Sequence, residues 1–306
     1  GIRRDGLVWF DVRKAPFCIY GLCEAKDGTL PFHRIPTSVA EATSNGVRNL
    51  NFCTAGGRLR FSTNSPYIAL KCETYGTLRL MNHMPLTGTQ GFDLYRDDTH
   101  GSHYVRSFIP PLDLSLSAFD TVIDLDTAGL HHYTVNFPLY GTCKNLYIGI
   151  KEGSILDTGL PYANDLPVIF YGSSITQGGC SSRPGTCYQA ILSERHNMDY
   201  INLGFSGNGR AEEAIVNYMA DLPMKIFVSD YDYNATDADY LETTLRRMYR
   251  TVRAKHPTVP FVFVSAPKAA LNEEFYDRWE RICKIYREAL AAGDKAVYFV
   301  DGSHLF

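Results

Sequence analysis

The sequence has 306 residues, of which 45 % are hydrophobic and 21 % are charged, so the chain can bury the core of one large domain or of two ordinary ones. Its formal net charge is −3 and its lysines and arginines form no basic stripe, which argues against nucleic acid and anionic membranes as partners. No apolar run reaches the roughly 18 residues that span a bilayer, and no signal-peptide pattern opens the chain, so the compartment, cytoplasmic or secreted, stays open.

The first half of the chain has the pattern of strands and turns. Between residue 8 and about residue 152, short apolar or alternating runs are separated by turn residues, and no long 3.6-residue apolar period occurs. This pattern predicts an antiparallel, jelly-roll-like β-sandwich over residues 1–156. The clearest strand candidates are residues 8–10, 59–63, 68–72, 133–137 and 146–150.

A different pattern begins after a linker at residues 157–165, where Gly, Pro, Asn and Asp cluster. Strand-like runs then alternate with helical periods, which predicts a flavodoxin-like, doubly wound parallel sheet over residues 166–306. The expected strands are 167–171, 199–203, 224–229, 260–265 and 296–300. Two helices are expected to bury one face each, the first Leu241, Leu245, Met248 and Val252, the second Phe275, Trp279, Ile282, Tyr286 and Leu290.

Three loops at the carboxyl ends of these strands contain the residues that suggest chemistry, since ligands of such a sheet bind there. They are residues 172–174 (Gly-Ser-Ser), the glycine-rich loop 202–209, and residues 230–235. A serine hydroxyl that attacks a carbonyl, with N–H donors that stabilise the resulting oxyanion, is suited to acyl transfer. Taken alone, Gly-Ser-Ser is equally well explained as a strand-to-helix turn with a serine cap.

The order of these motifs resembles that of the SGNH (GDSL-type) hydrolases. Gly-Ser-Ser-Ile-Thr, then Ser-Gly, then an Asn at the end of the third strand match the family pattern over residues 166–306. The resemblance implies that Ser174 is the nucleophile, Gly207 the backbone oxyanion donor and Asn234 the side-chain oxyanion donor. Residues 91–95 (Gly-Phe-Asp-Leu-Tyr) resemble the GxDLY signature of the β domain that precedes a subset of these hydrolases. The resemblance therefore covers both halves.

The chain departs from the family pattern at two positions, and its sequence does not identify the catalytic base. Ser173 stands where the family usually has Asp, and residues 232–235 (Asp-Tyr-Asn-Ala) stand where it often has Gly-x-Asn-Asp. The family supplies its base from an Asp-x-x-His element some distance after the last strand. Asp301 and His304 have that spacing but directly follow the fifth strand. Either His304 is the base, or the true Asp-x-x-His lies beyond residue 306 and the domain is truncated. The position of Asp301 and His304, directly after the strand, favours the second alternative.

No cofactor and no metal site are expected from the residue spacings. The eight cysteines, at 18, 23, 53, 72, 143, 180, 187 and 283, show no CxxC pair, and His, Asp and Glu show no ligand-like spacing. Cys180 and Cys187 flank a short polar loop and could form a disulfide, although free thiols are more common in a chain of this length. The eight histidines other than His304 are interpreted as surface or packing residues.

Together, these patterns predict a serine esterase that hydrolyses small acyl esters, and the resemblance favours O-acetyl groups on carbohydrate. The expected partner is a small-molecule or glycan ester, and the sequence does not predict the oligomeric state. Three alternatives stay open: a lipase or thioesterase for longer acyl chains, a catalytically incomplete carbohydrate-binding protein, and a flavodoxin-like nucleotide binder. The last is disfavoured because no phosphate-binding glycine pattern occurs.

Overall fold

The computed structural model describes residues 1–23, 30–76, 80–113, 115–126, 128–267 and 272–305. The chain divides into two compact units. The first, the sandwich unit, comprises Gly1–Pro36, Asn51–Ala163 and Gly178–Tyr200, and the second, the α/β unit, comprises Thr37–Leu50, Asn164–Gln177 and Ile201–Phe306. The two units therefore interleave along the sequence. None of the described helices combines the length and the apolar character that a membrane crossing requires.

The sandwich unit contains two antiparallel sheets, as predicted. Successive strands mostly alternate between the sheets, which is the jelly-roll-like arrangement, and apolar side chains of both sheets form one core. The four-stranded sheet has the order β1 (Leu7–Asp11), β9 (Asn145–Lys151), β4 (Tyr67–Glu73), β7 (Ala118–Asp124). The six-stranded sheet has the order β10 (Leu156–Thr158), β3 (Arg58–Thr63), β8 (His131–Asn136), β5 (Phe92–Asp98), β6 (Gly101–Phe108), with β2 (Cys18–Tyr20) also paired to β3.

Three short helices lie in the first half of the chain, where the sequence pattern predicts only strands and turns. They are α1 (Thr37–Thr43), α2 (Asn45–Leu50) and α3 (Leu86–Thr89). Each helix is too short for its apolar residues to repeat with a helical period. In α1 and α2 a single residue is buried, Ala40 and Val47 respectively. The prediction of an all-strand first half was therefore wrong in these places.

The α/β unit is built on a five-stranded sheet, which confirms the predicted flavodoxin-like fold. Its strand order is β12 (Tyr200–Gly204), β11 (Val168–Gly172), β13 (Ile226–Asp230), β14 (Phe261–Val264), β15 (Val297–Val300). The pairs β11–β13, β13–β14 and β14–β15 are parallel. The remaining helices of the chain are α4 (Ser174–Gln177), α5 (Tyr188–His196), α6 (Glu213–Asp221), α7 (Ala238–Lys255) and α8 (Glu273–Ala291).

The buried face of α7 is the predicted one, because Leu241, Leu245, Met248 and Val252 are all buried. The buried face of α8 is shifted by one residue at several turns. It consists of Arg278, Ile282, Cys283, Ile285 and Ala289, whereas Leu290 is 44 % exposed. Aromatic residues at 275, 279 and 286 suggest the wrong stripe because large rings can pack at the edge of a buried face.

Candidate active site

The predicted nucleophile turn lies at the end of β11, whose five residues are all buried. Ser173 is buried, and its Oγ accepts a hydrogen bond of 3.2 Å from the backbone N–H of Ile175. Ser174 is only half-buried and begins α4, so its N–H lacks an intrahelical acceptor. No described residue forms a hydrogen bond with the Ser174 hydroxyl. The turn thus uses one serine as a cap and leaves the other hydroxyl available.

Glycine is required at the entrance to this turn. A Cβ on Gly172 would overlap Oγ1 of Thr176 and the backbone carbonyl of Asp230. The Thr176 hydroxyl also donates to Asp230, with its Oγ1 3.0 Å from the carboxylate Oδ2 and 3.4 Å from the backbone carbonyl. Ser173 N–H also donates to the Asp230 carbonyl at 3.1 Å. The turn after β11 is therefore fastened to the end of β13.

Three hydrogen bonds and one close approach tie the nucleophile turn to the end of β12 and the loop that follows it. Phe205 N–H donates to the carbonyl of Gly172 at 2.9 Å, and Ser206 N–H donates to Oε1 of the buried Gln177 at 2.9 Å. The side chain of Asn202 donates to the carbonyl of Thr176 at 2.7 Å and accepts from Gly204 N–H at 2.9 Å. A Cβ on Gly204 would overlap the backbone of Gln177. The second predicted loop is thus held against the first.

Gly207 projects from that loop in a left-handed conformation, with φ of +64° and open space around its Cα. A tight turn forms around it, because Asn208 N–H donates to the Phe205 carbonyl at 2.9 Å. Gly207 itself is exposed, and its N–H has no hydrogen-bond partner among the described residues. A free backbone donor in this position is what an oxyanion hole requires.

Asn234 is buried and lies against the same loop. It ends a 3₁₀ turn, Asp232–Asn234, that follows β13. Its side-chain nitrogen donates to the carbonyls of Phe205 at 2.9 Å and Asn208, and lies 3.5 Å from the carbonyl of Gly209. Both amide hydrogens therefore point at backbone carbonyls that flank Gly207. The structure brings Asn234 and Gly207 together, but with the amide engaged in holding the loop.

Two residues beyond those predicted hold the Asn234 turn in place. Arg278 is 4 % exposed, and its Nη1 donates to the carbonyls of Asp232 at 2.5 Å and Ala235 at 3.0 Å. The carboxyl of Asp232 accepts from Ala266 N–H at 2.8 Å, and burial raises its pKa to about 6. Asp232 occupies a position where the family often has Gly, which was the available signal. No sequence signal marks Arg278, because a single arginine on a helix usually indicates a solvated face.

The C-terminal Asp301 and His304 do not form a dyad of the expected geometry. The Oδ1 of Asp301 accepts from Ser303 N–H at 3.0 Å, Ser303 Oγ at 2.7 Å and Trp279 Nε1 at 3.2 Å. His304 Nε2 lies 3.7 Å from Asp301 Oδ2, and the imidazole side chain is 83 % exposed. The other histidine of the α/β unit, His256, contacts the Ala220 carbonyl at 3.0 Å. In the described part of the chain, no imidazole is hydrogen-bonded to Ser174.

None of the eight cysteines forms a disulfide, Cys180 and Cys187 included. Cys180 is exposed and Cys187 is buried. Burial raises the pKa of the Cys187 thiol to about 11, which leaves it protonated and unreactive near neutral pH. Within the described residues, no group of three His, Cys, Asp or Glu side chains is placed as metal ligands would be.

Two family patterns match the chain and together span most of it. Residues 165–306 match the GDSL-like Lipase/Acylhydrolase family, and residues 7–156 match the N-terminus of Esterase_SGNH_hydro-type. No curated protein matches the chain.

Solved structures share the fold over nearly the whole chain. A protein from Bacteroides ovatus described as a GDSL-like lipase is 25 % identical with a TM-score of 0.84, over 96 % of this chain and 87 % of that one. A salicylyl-acyltransferase from a tetracycline biosynthetic pathway is 20 % identical with a TM-score of 0.78, over 99 % and 87 %. An acetyl xylan esterase from Butyrivibrio proteoclasticus is 11 % identical with a TM-score of 0.56, over 96 % and 90 %.

Proposed function

The chain belongs to the SGNH (GDSL-type) hydrolases that carry an N-terminal GxDLY domain and is a carboxylic ester hydrolase, and from this premise we propose that it removes small acyl groups, above all O-acetyl groups, from carbohydrate. Ser174 Oγ attacks the ester carbonyl, and the N–H groups of Gly207 and Ser174 and the amide of Asn234 stabilise the oxyanion. A histidine takes the serine proton and delivers it to the leaving alcohol, which leaves the acyl group on Ser174 Oγ. Water, deprotonated by the same histidine, then attacks this ester, and the acid departs as Ser174 regains its proton.

One observation carries this assignment. In a turn where the neighbouring polar groups are hydrogen-bonded, the Ser174 hydroxyl is half-exposed and has no described partner. The loop fastened to that turn offers a second unpartnered group, the Gly207 N–H. A free nucleophile and a free oxyanion donor on two loops that bind each other support acyl transfer.

The hydrogen bonds that Asn234 makes to the loop limit how its side chain can act as an oxyanion donor. Its amide has two hydrogens, and both are directed at carbonyls of the loop. To stabilise an oxyanion, one of them must turn from the loop to the substrate, while the other keeps Gly207 in place. Removing one oxyanion donor typically lowers kcat by about 10²–10³-fold, so Asn234→Ala should fall in that range. Asn234→Asp should be at least as damaging, because a carboxylate would face the same backbone carbonyls.

The carbohydrate acetate part of the proposal is supported by the fold. An acetyl xylan esterase aligns with 96 % of this chain at a TM-score of 0.56 and 11 % identity. Acetate release from acetylated xylan, together with p-nitrophenyl esters from acetate to octanoate, tests the choice of substrate. We expect the highest kcat/KM for acetate, and a rate that increases with acyl length would instead favour a lipase or thioesterase.

Ser174→Ala tests the nucleophile, with Ser173→Ala as a matched control one residue away. Loss of the nucleophile should lower kcat by at least about 10⁴-fold. Ser173→Ala removes only the cap on Ile175 N–H, so it should cost about 1 kcal/mol of stability and retain most activity. Equal rates for the wild-type protein and Ser174→Ala would refute catalysis by this serine. If neither protein hydrolyses any ester, glycan binding without hydrolysis remains as the function.

A further inference from the structure

The Gly-x-Asp-Leu-Tyr signature at residues 91–95 lies in and next to β5, far from the nucleophile in sequence. Leu94 is fully buried in the sandwich core. Asp93 and Tyr95 lie on the opposite face of the sheet, yet their exposures are only 0 % and 2 %. Residues Gly178–Tyr200, which follow the nucleophile turn in the chain, are part of this same unit. Two polar members of the signature are thus buried against a segment from the other half of the sequence.

Asp93 binds that segment directly. Its Oδ2 accepts from Gly185 N–H at 2.7 Å and lies 3.6 Å from Nε of Arg183. Its Oδ1 accepts from Nδ2 of Asn136, the residue across from it on β8, at 2.8 Å. A carboxylate that accepts two hydrogen bonds and lies beside a guanidinium is well anchored, although burial raises its pKa to about 6.

Tyr95 covers the same place. Its ring lies so close to Gly185 that a Cβ there would overlap the ring, so the 3₁₀ turn Pro184–Thr186 depends on glycine. The Tyr95 hydroxyl accepts from Nη2 of Arg183 at 3.3 Å. The Arg183 guanidinium also stacks on the ring of Tyr104, 4.0 Å from its centroid.

The residues just before the signature hold the start of the segment. Thr87 Oγ1 donates to the carbonyl of Ser182 at 2.6 Å. A Cβ on Gly88 would overlap the carbonyl of Ser181. On Gly91, the first residue of the signature, a Cβ would lie 2.5 Å from the carbonyl of Thr87. Gly91 therefore allows the helix turn that carries Thr87 and Gly88 to fold tightly onto β5.

We propose that the Gly-x-Asp-Leu-Tyr motif is a latch that holds residues 181–187 and thereby positions the nucleophile turn, with Asp93 as its central positioning residue. The chain runs from Ser174 through the four-residue α4 and then three further residues, 178–180, into the held segment. Fixing Gly185 therefore limits how far the chain that leaves the turn can move. This role rests on the proposed function of Ser174 and accounts for a buried polar motif that touches no proposed reacting atom.

Asp93→Asn tests the latch with little change of shape. An amide can accept one of the two hydrogen bonds, but its NH₂ group faces a donor where the carboxylate accepted. We expect kcat for p-nitrophenyl acetate to fall about 10- to 100-fold with KM changed less than about threefold, because a misplaced reacting group slows the chemical step. Hydrogen exchange of a peptide covering residues 178–187 should become faster in the same variant.

Asp97→Asn is the matched control. Asp97 lies on the same strand and is also buried, and it accepts from Ser102 at 2.5 Å and Thr134 at 2.6 Å. Its polar partners among the described residues are Ser102, Thr134 and Arg60, none of which lies in residues 181–187, so Asp97→Asn should lower stability without changing kcat or the exchange of that peptide. If Asp93→Asn does not fold, Tyr95→Phe, which removes only the hydroxyl, should still accelerate the exchange.

The outcomes separate this proposal from the proposed function. Unchanged exchange at residues 178–187 in the folded Asp93 variant, or in Tyr95→Phe, would overturn the latch. Faster exchange with unchanged kcat would overturn its positioning role. If the wild-type protein hydrolyses no ester, the proposed function fails, and the exchange experiment alone decides whether the motif holds the segment.

Discussion

Replacing Arg278 by Met is expected to loosen the turn that carries Asn234. The Arg278 guanidinium spans this turn, since one nitrogen donates to the carbonyl of Asp232 at its start and to that of Ala235 just past its end. Its other terminal nitrogen donates to the exposed Glu274 at 2.9 Å. Methionine fills most of the same volume but satisfies none of these acceptors.

The expected loss of stability follows from the two buried carbonyls. A hydrogen bond from a charged donor contributes about 1.5–3 kcal/mol, and the abandoned acceptors remain buried. The bond to Glu274 adds little because that carboxylate is exposed. Removing a buried cation also recovers part of its desolvation cost, so the net loss should be about 3–4 kcal/mol. Arg278→Lys keeps the charge but can reach only one carbonyl, and should lose about half as much.

Urea unfolding followed by tryptophan fluorescence measures this loss. The chain has two tryptophans, Trp9 and Trp279. In a Trp9→Phe background, emission comes from Trp279, which neighbours Arg278 and reports on the α/β unit. Hydrolysis of p-nitrophenyl acetate should decline together with stability, mainly in kcat, because the turn presents Asn234.

Arg281→Met is the control, three residues along the same helix. Arg281 makes three ion pairs with exposed or partly exposed carboxylates, including Asp277 at 3.1 Å and Glu242 at 2.6 Å. Ion pairs of this kind contribute little, so this variant should unfold close to the wild-type midpoint. An equal shift in both variants, or an unchanged kcat in Arg278→Met, would refute the reasoning that the guanidinium holds the Asn234 turn.

A buried carboxyl, two turn glycines and an exposed thiol each have a measurable effect of their own. Burial raises the pKa of Asp232 from 3.8 to about 6, so the folded chain binds this proton more tightly than the unfolded chain does. The free energy of unfolding should therefore fall by up to ~3 kcal/mol as the pH rises through that interval. Asp232→Asn should flatten this slope in urea titrations at several pH values. Gly172→Ala should destabilise strongly because its Cβ would overlap the Asp230 carbonyl, whereas Gly207→Ala, with open space but a φ of +64°, should cost only about 1–2 kcal/mol in the same assay. A thiol reagent should label the exposed Cys180 first, because Cys18 and Cys23 are only partly exposed and the other five thiols are buried. Cys180→Ser should remove that fast phase, and an unchanged fast phase would contradict this order of exposure.

Hydrophobic periodicity predicts the five parallel strands to within two residues at each end. These strands are short apolar runs bounded by turn residues, and local pattern is sufficient where burial on both faces dictates composition. The same reasoning places Ser174, Gly207 and Asn234 at one edge of the sheet, because the carboxyl ends of parallel strands share that edge. Hydrogen bonds between the three loops agree with this placement.

Long-range polar contacts are the part that the sequence does not reveal. Asp93 and Gly185 are 92 residues apart, and Arg278 and Asp232 are 46 apart. A buried charged residue has the same appearance in a sequence as a solvated one, since its partners are backbone groups that every residue possesses. For the same reason, the pattern did not reveal that Asn234 binds the loop carbonyls, a contact that changes its expected role.

The interleaving of the two units has a consequence for how the halves of the chain cooperate. The α/β unit includes α1 and α2 from the first half of the sequence, and in α2 a Cβ on Gly46 would overlap the side chain of Asn208. Asn208 follows Gly207 directly, and its carbonyl accepts from Asn234. The loop with the proposed oxyanion donor is therefore supported both by the turn after β13 and by a helix from the other half.

Residues 178–200 belong to the sandwich unit although they come from the second half of the sequence, where they follow the nucleophile turn. A cut near residue 156 would separate the loop from α2 and the latch from the segment it holds, so the first half is a structural part of the proposed site rather than an appended module.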